Sequence, residues 1–291
     1  MTIEVVEALQ SLQNGFFDVF FNFISFLGEE YVYIVLLSII YFAYDKKMGE
    51  FMGLVLFFTG MFNATIKGIV SAPRPFQEYP DRITNLRPET SGGYSFPSGH
   101  TQMFTSFSFA YGFYQKQIKI VYVATIFSVL MALSRMYLGV HYLEDVTVSL
   151  LLGILTAYLF AQFFVKIQDN DKALLQVYIG ILLAFLPFLF ILDYVDLYKT
   201  YGLMLGFTGG MVIEKKYIQF TMDTLLWKKG LRVLGGLIIM IAIMAGLDII
   251  FEAIAKEGST LLHLLDMIRY GLVAFVGLGV YPLLFKPLHI H

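Results

Sequence analysis

Six ionisable side chains stand in otherwise apolar surroundings: Lys67 and Arg74 in KGIVSAPRP, His100 in PSGH, and Arg135, His141 and Asp145 in SRMYLGVHYLED. At membrane depth each such group needs a partner or a task. Handling a phosphate would occupy all of them. Preorganised cations stabilise the charge that spreads over phosphoryl oxygens during transfer, with Arg74 and Arg135 suited to grip two oxygens at once and Lys67 acting as a point charge. Ser98 follows a proline and opens a helix, so it is expected at the N-cap, with the first free backbone N–H groups facing an anion. Gly99 lets that backbone approach closely, and the Ser98 hydroxyl adds a donor. Helix capping alone accounts for Ser98 and Gly99 but leaves His100 without a role.

His141 and Asp145 are four residues apart at the start of a helix, which puts them on one face. A carboxylate there can hold one imidazole nitrogen and leave the other free and basic. On spacing alone Glu144 competes for the same role. A lone histidine on a helix is more often structural, but a second one at a helix N-terminus and Arg135 six residues earlier argue for a site. Asn63, one turn before Lys67, either positions the ammonium or makes a buried interhelical hydrogen bond. No metal or other cofactor is implied: the one close acidic pair is Glu144 with Asp145, while Glu78, Asp81 and Glu89 are isolated. Zero cysteines exclude disulfides, thiolate catalysis and Cys-ligated metals. A net charge of −2 argues against a nucleic-acid partner.

The elements that carry these residues are apolar helices. Of 291 residues 58% are hydrophobic and 14% charged, the mean hydropathy is +0.71, and the apolar residues come in runs, so the chain reads as an all-α, polytopic transmembrane bundle. Residues 3–27 scatter polar groups through a helical pattern that either spans poorly or lies in the interface. Segments at about 28–44, 48–70, 98–114, 118–138 and 141–165 follow, then four more at 174–192, 201–213, 233–251 and 262–285. The organisation expected is a six-helix core over 1–170 and additional transmembrane helices over 171–291. Glu4 and Glu7 stand where a signal peptide would be positive, so no cleaved leader is expected.

Residues 71–97 form a loop holding Pro73, Pro75, Pro80, Pro88 and Pro97, too many for a helix interior, and its aromatic side chains suit the headgroup level. It reads as a lid or as an ordinary surface loop. Lys46, Lys47, Lys116, Lys119, Lys166, Lys172, Lys215, Lys216, Lys228, Lys229, Arg232 and Lys286 fall at one set of loops, assigned to the cytoplasm by the positive-inside rule, and outside the motifs the opposite side keeps only Lys199, Lys256, Arg82 and Arg87. The motif residues then face the extracytoplasmic side. Gly202, Gly206 and Gly210, spaced by four, offer a face for close helix approach, either within the monomer or in a homodimer. Asp193, Asp196, Asp248, Glu252, Asp266 and Arg269 are expected near the outer helix ends, as ion pairs such as Asp266 with Arg269 or as a headgroup pocket. His263, His289 and His291 show no ligand spacing.

Lys67, six residues, Arg74-Pro75, then Pro97-Ser98-Gly99-His100, then Ser134-Arg135, five residues, His141, three residues, Asp145 resembles the three-part signature of the type-2 phosphatidate phosphatase superfamily, without a departure. The resemblance covers about 48–166 and says nothing of 173–291. It implies a membrane enzyme that hydrolyses a lipid phosphate or diphosphate, phosphatidate-type or an isoprenoid carrier lipid, without a metal. By the same resemblance His141 forms a phosphohistidine, Asp145 orients it, His100 protonates the leaving oxygen, and Lys67, Arg74, Ser98, Gly99 and Arg135 bind phosphate. Membrane lipids are the implied partners. A phosphatase of a soluble sugar phosphate, of the glucose-6-phosphatase type, is the runner-up. The vanadate-dependent haloperoxidases that share the motifs are soluble, and the spans count against them. A lipid transporter or scramblase would use the cations but has no need of a nucleophile.

Overall fold

The computed structural model describes residues 3–290, and among them no residue is in a strand. Helices α1 (Ile3–Gln10), α2 (Gly15–Phe26), α3 (Glu30–Ile39, continued by a π-helical turn to Tyr44), α4 (Lys46–Val70), α5 (Pro75–Glu78), α6 (Gly99–Tyr114), α7 (Ile118–Tyr137) and α8 (Leu143–Ile167) make the first half. Helices α9 (Asp171–Ile191), α10 (Val195–Ile213), α11 (Leu226–Ile254) and α12 (Thr260–Ala274) follow. Six helical stretches among the described residues are long and apolar enough to cross a membrane, or seven if the pair Gly15–Phe26 and Glu30–Tyr44, bent by 53°, counts as one span. The protein is an all-helical integral membrane protein.

The chain forms two compact units, one of Met1–Tyr33 and Phe62–Phe163, the other of Ile34–Met61 and Phe164–His291. Each of α4 and α8 contributes one end to each unit.

In the first unit, residues 3–27 are two helices rather than one. Asn14 breaks the pattern, its side chain accepting from Phe16 and Phe17 N–H as the cap of α2. Helix α1 buries Ile3 and Val6 against Ile83 and Tyr142. Its Gln10 clasps two separate strands of backbone: Nε2 donates to Thr84 O at 2.7 Å and Tyr137 O at 3.2 Å, while Oε1 accepts from Thr84 N–H. Helix α2 packs Phe21 on Tyr137 with ring centroids 4.5 Å apart, in a cluster with Leu138 and Val140. These contacts fix the turn 138–142 between α7 and α8. Gly139 sits there at φ +75°, where a Cβ would lie 2.4 Å from Thr84 O, so both conformation and space demand glycine. The loop 71–97 is irregular except for α5, which has Pro75 in its first turn, and one 3₁₀ turn at Pro88–Thr90. Helix α6 has 16 residues, short of the about 20 that a span requires.

In the second unit α10 lies against α12. A Cβ on Gly202 would come within 2.1 Å of Met267 O, and one on Gly206 within 1.9 Å of Gly271 O. The glycine stripe is thus taken up by intramolecular backbone contact. Arg269 pairs with Asp266 at 2.7 Å and also with Asp248, and His263 meets Asp193 at 2.7 Å. The expected Asp266–Arg269 pair is present, whereas the contact of His263 with Asp193 was not expected. His291 lies outside the described residues.

Candidate active site

The expected site residues lie within the first unit, and a network centred on His141 and Arg74 links several of them. His141 occupies the turn before α8 and is 1% exposed. Its Nδ1 is 3.2 Å from Asp145 Oδ2, one helical turn on. Asp145, and not Glu144, holds that position. The same carboxylate oxygen accepts from Tyr142 N–H at 2.9 Å and from the Ser95 hydroxyl at 2.5 Å, and Ser95 Oγ is itself 3.4 Å from His141 Nδ1. A carboxylate on Nδ1 selects the tautomer with its proton there and leaves the lone pair on Nε2. Burial, followed by the charges of Arg74, Lys67 and Arg135, holds the His141 imidazole well below the ordinary histidine range. The ring is therefore held neutral, with Asp145 on Nδ1 and the Nε2 lone pair facing Arg74.

Arg74 lies beyond the C-terminal end of α4, between Pro73, which cannot extend that helix, and Pro75, which opens α5. Its Nη1 is 3.1 Å from His141 Nε2 and donates to Val140 O at 2.9 Å. Nε and Nη2 donate to Gly93 O and Gly92 O. The guanidinium thereby ties the loop to the turn 138–142 and lies against Nε2 of His141. Lys67, in the last turn of α4, donates to the carbonyls of Tyr94 and Ser95. Ser98 takes the N-cap position of α6, but its hydroxyl does not cap the backbone: it pairs with Thr101 Oγ1 at 3.0 Å, while its N–H donates to Asp145 O at 3.3 Å. A Cβ on Gly99 would lie 3.4 Å from Asn63 Oδ1 and 4.0 Å from Lys67 Cε, which places the start of α6 beside the lysine. Asn63 Nδ2 donates to Gln102 Oε1 at 2.8 Å, so it does make the interhelical bond between α4 and α6.

Arg135 and His100 belong to a second group of contacts. Arg135 is fully buried; Nη1 donates to Ser25 Oγ and Nη2 to Thr90 O, while Nε is buried with no hydrogen-bond partner. His100, in the first turn of α6, packs its ring beside Gly28, and its Nε2 is likewise buried and unpartnered. Such orphaned donors are rare in folded proteins.

Sequence reasoning missed Ser95, Ser25, Thr90, and the pair of Arg87 with Glu29. Of these only Ser95, three residues before Ser98, had proximity to a motif as a signal.

The arrangement can bring a nucleophilic nitrogen, a guanidinium beside it and an α6 N-terminus to one phosphoryl group. Residues 51–169 match the model of the PAP2 superfamily, and residues 198–291 match that of the transmembrane extension of PAP2 superfamily phosphatases. The chain belongs to the PAP2 superfamily. Among PAP2 relatives, it is similar to lipid phosphate phosphatase delta of Arabidopsis thaliana, 27% identical over 179 residues, covering 57% of this chain and 43% of that one. It is also similar to undecaprenyl-diphosphatase BcrC of Bacillus subtilis, 27% identical over 186 residues, covering 62% of this chain and 94% of that one. The chain thus spans less than half the length of the plant relative and nearly all of the bacterial one. The crystal structure of Aquifex aeolicus LpxE is 25% identical with a TM-score of 0.49, covering 55% of this chain and 93% of that one.

Proposed function

We propose that this PAP2 protein hydrolyses a lipid phosphate or diphosphate through a phosphohistidine on His141. The observation that carries the proposal is the pairing at the two imidazole nitrogens: Asp145 on Nδ1 and Arg74 beside Nε2. Nε2 attacks phosphorus in line with the leaving oxygen, and Asp145 stabilises the charge that develops on the ring. Lys67, Arg74, Arg135, the α6 N-terminus at Ser98 and Gly99, and His100 take the phosphoryl oxygens and the leaving group. Water then attacks the phosphohistidine, with His100 accepting its proton, and releases orthophosphate. A protein that only carried or flipped a phospholipid would use the cations but leave the His141–Asp145 pair without work.

Two finer parts belong to the same proposal. In this reading the charge stabilisation is supplied by cationic side chains, so the reaction needs no metal. The site opens to the extracytoplasmic side, as the lysine-rich loops assigned to the cytoplasm require.

The test is phosphate release from detergent-solubilised lipid phosphates and diphosphates, with and without chelator, by the wild type and His141→Ala. Activity that survives EDTA and is lost in the variant is expected; recovery by an added divalent ion after EDTA would sink the metal-free mechanism. For sidedness, Glu89→Cys should react with an impermeant thiol reagent on intact cells and Lys216→Cys should not, both positions being exposed in a chain without native cysteine. The opposite labelling pattern would put the chemistry inside.

A further inference from the structure

The contacts of the site divide into two sets. Lys67, Arg74, Ser95 and Asp145 surround the nucleophile His141. The other set gathers on the turn 25–29: Ser25 accepts from Arg135, Gly28 packs on His100, and Glu29 pairs with Arg87, which also donates to Asn22 at 2.7 Å. Thr90 closes the ring. Its N–H donates to Arg87 O at 3.4 Å and its carbonyl accepts from Arg135. Four buried atoms of this set have no hydrogen-bond partner: His100 Nε2, Arg135 Nε, Arg87 Nε and Thr90 Oγ1.

We infer that this second set is a subsite for a phosphoryl leaving group, with Arg87 and Thr90 as its specificity-determining residues, and that the substrate is a lipid diphosphate. The inference rests on the proposed reaction and says which leaving group it expels. An alkyl phosphate leaves as an alcohol, with one oxygen needing one proton and an apolar chain behind it. Against such a group the donors of Arg87 and Thr90 would stay buried and unpaired, at a cost of a lost hydrogen bond each. A diphosphate brings two further oxygens on the inner phosphorus, and these can accept from Arg87 Nε–H and the Thr90 hydroxyl, with Arg135 Nε–H as a further unpartnered donor. His141 Nε2 bonds to the terminal phosphorus. The bond from that phosphorus to the bridging oxygen breaks, its electron pair stays on the oxygen, and His100 supplies a proton to it. The lipid monophosphate departs. Water hydrolyses the phosphohistidine to orthophosphate, so one water is consumed and no other reactant is needed.

The experiment compares kcat/KM on farnesyl diphosphate and farnesyl monophosphate, which share one tail, in detergent micelles. Thr90→Val removes only the hydroxyl at nearly constant shape, and the double variant Glu29→Gln, Arg87→Gln replaces the ion pair by a neutral one. In each, the diphosphate-to-monophosphate ratio of kcat/KM should fall roughly ten- to a hundredfold, the loss of a hydrogen bond to a charged group. On the wild type, methylenediphosphonate should inhibit at least about tenfold more strongly than orthophosphate, a readout independent of how the variants fold. Parallel loss on both lipids, or equal inhibition by the two anions, would overturn the subsite and leave the phosphatase reading standing. Turnover of neither lipid by the wild type would overturn both.

Discussion

Ser95→Ala tests the positioning of His141, the proposed nucleophile, by removing a hydroxyl that bonds its Asp145 partner. The Ser95 hydroxyl is fully buried and donates to Asp145 Oδ2 at 2.5 Å, the shortest of the three contacts to that oxygen, against 2.9 Å from Tyr142 N–H and 3.2 Å from His141. Removing it deprives a buried carboxylate of one charge-assisted bond, worth about 1.5–3 kcal/mol. Asp145 keeps Tyr142 N–H, so only part of that loss reaches the transition state. Half of it, about 0.8–1.5 kcal/mol, is roughly a four- to thirteenfold fall in rate. The expected result is kcat reduced about tenfold with KM unchanged, and substantial recovery in Ser95→Thr, which restores the hydroxyl. The assay is initial-rate phosphate release across a range of lipid concentrations, with detergent gel-filtration elution as the folding control. An unchanged kcat would refute the anchoring role. A rise in KM at constant kcat would refute it differently, by placing Ser95 in the phosphate grip.

His100→Ala should lose about 10²–10⁴ in rate on an alkyl monophosphate, whose leaving oxygen needs a proton, and much less on an aryl phosphate; equal loss on both would remove the general-acid assignment. Because burial and neighbouring cations keep His141 below the ordinary histidine range, its nitrogen stays deprotonated as pH falls through about 6.5, so the acid limb of kcat/KM should lie below that value. Arg74→Gln removes a cation from beside the ring and should move the limb upward in pH, a differential measurement that cancels the substrate's own ionisation; a limb that stays in place would mean that His141 does not set it. Gly206→Ala would drive a Cβ to 1.9 Å from Gly271 O, whereas Gly180 has nothing within 4 Å. The first substitution should destabilise by about 1–3 kcal/mol and lower the melting temperature in detergent, and Gly180→Ala should not lower it; equal melting temperatures would show that α10 and α12 are not held at this distance in solution.

The parts of the site that lie on helix ends were legible in the sequence. Lys67 closes α4, His100 opens α6, Arg135 ends α7 and Asp145 begins α8, so fixed spacing in an apolar chain announces them. Spacing could not choose between Glu144 and Asp145, because three and four residues both reach His141 on a helix; the orientation of the turn 138–142 decides it. Arg87 and Thr90 were not legible at all, and Ser95 only by its nearness to Ser98, since loops have no period and their side-chain partners are many tens of residues away. The Ser98 hydroxyl, expected to serve the site, also has a partner that spacing did not show, Thr101. Residues 3–27 read as one weak helix because the polar residues blur the period, although Asn14 followed by Gly15 carried the cap that splits it. The glycine stripe at 202, 206 and 210 promised a close contact, and its intramolecular use depends on Gly271 and Gly279 facing it, which no local pattern shows.

The clasp made by Gln10 has a practical side. One amide at the end of α1 holds both Thr84 and the last residue of α7, and Glu7 adds a forked pair to Arg82 at 2.6 and 2.8 Å. The turn carrying His141 begins immediately after that residue. Trimming the first dozen residues, or fusing an affinity tag rigidly onto α1, therefore acts on the nucleophile from a distance in sequence, and a loss of activity in such a preparation would report on the clasp rather than on the chemistry. Purification handles belong elsewhere on this chain.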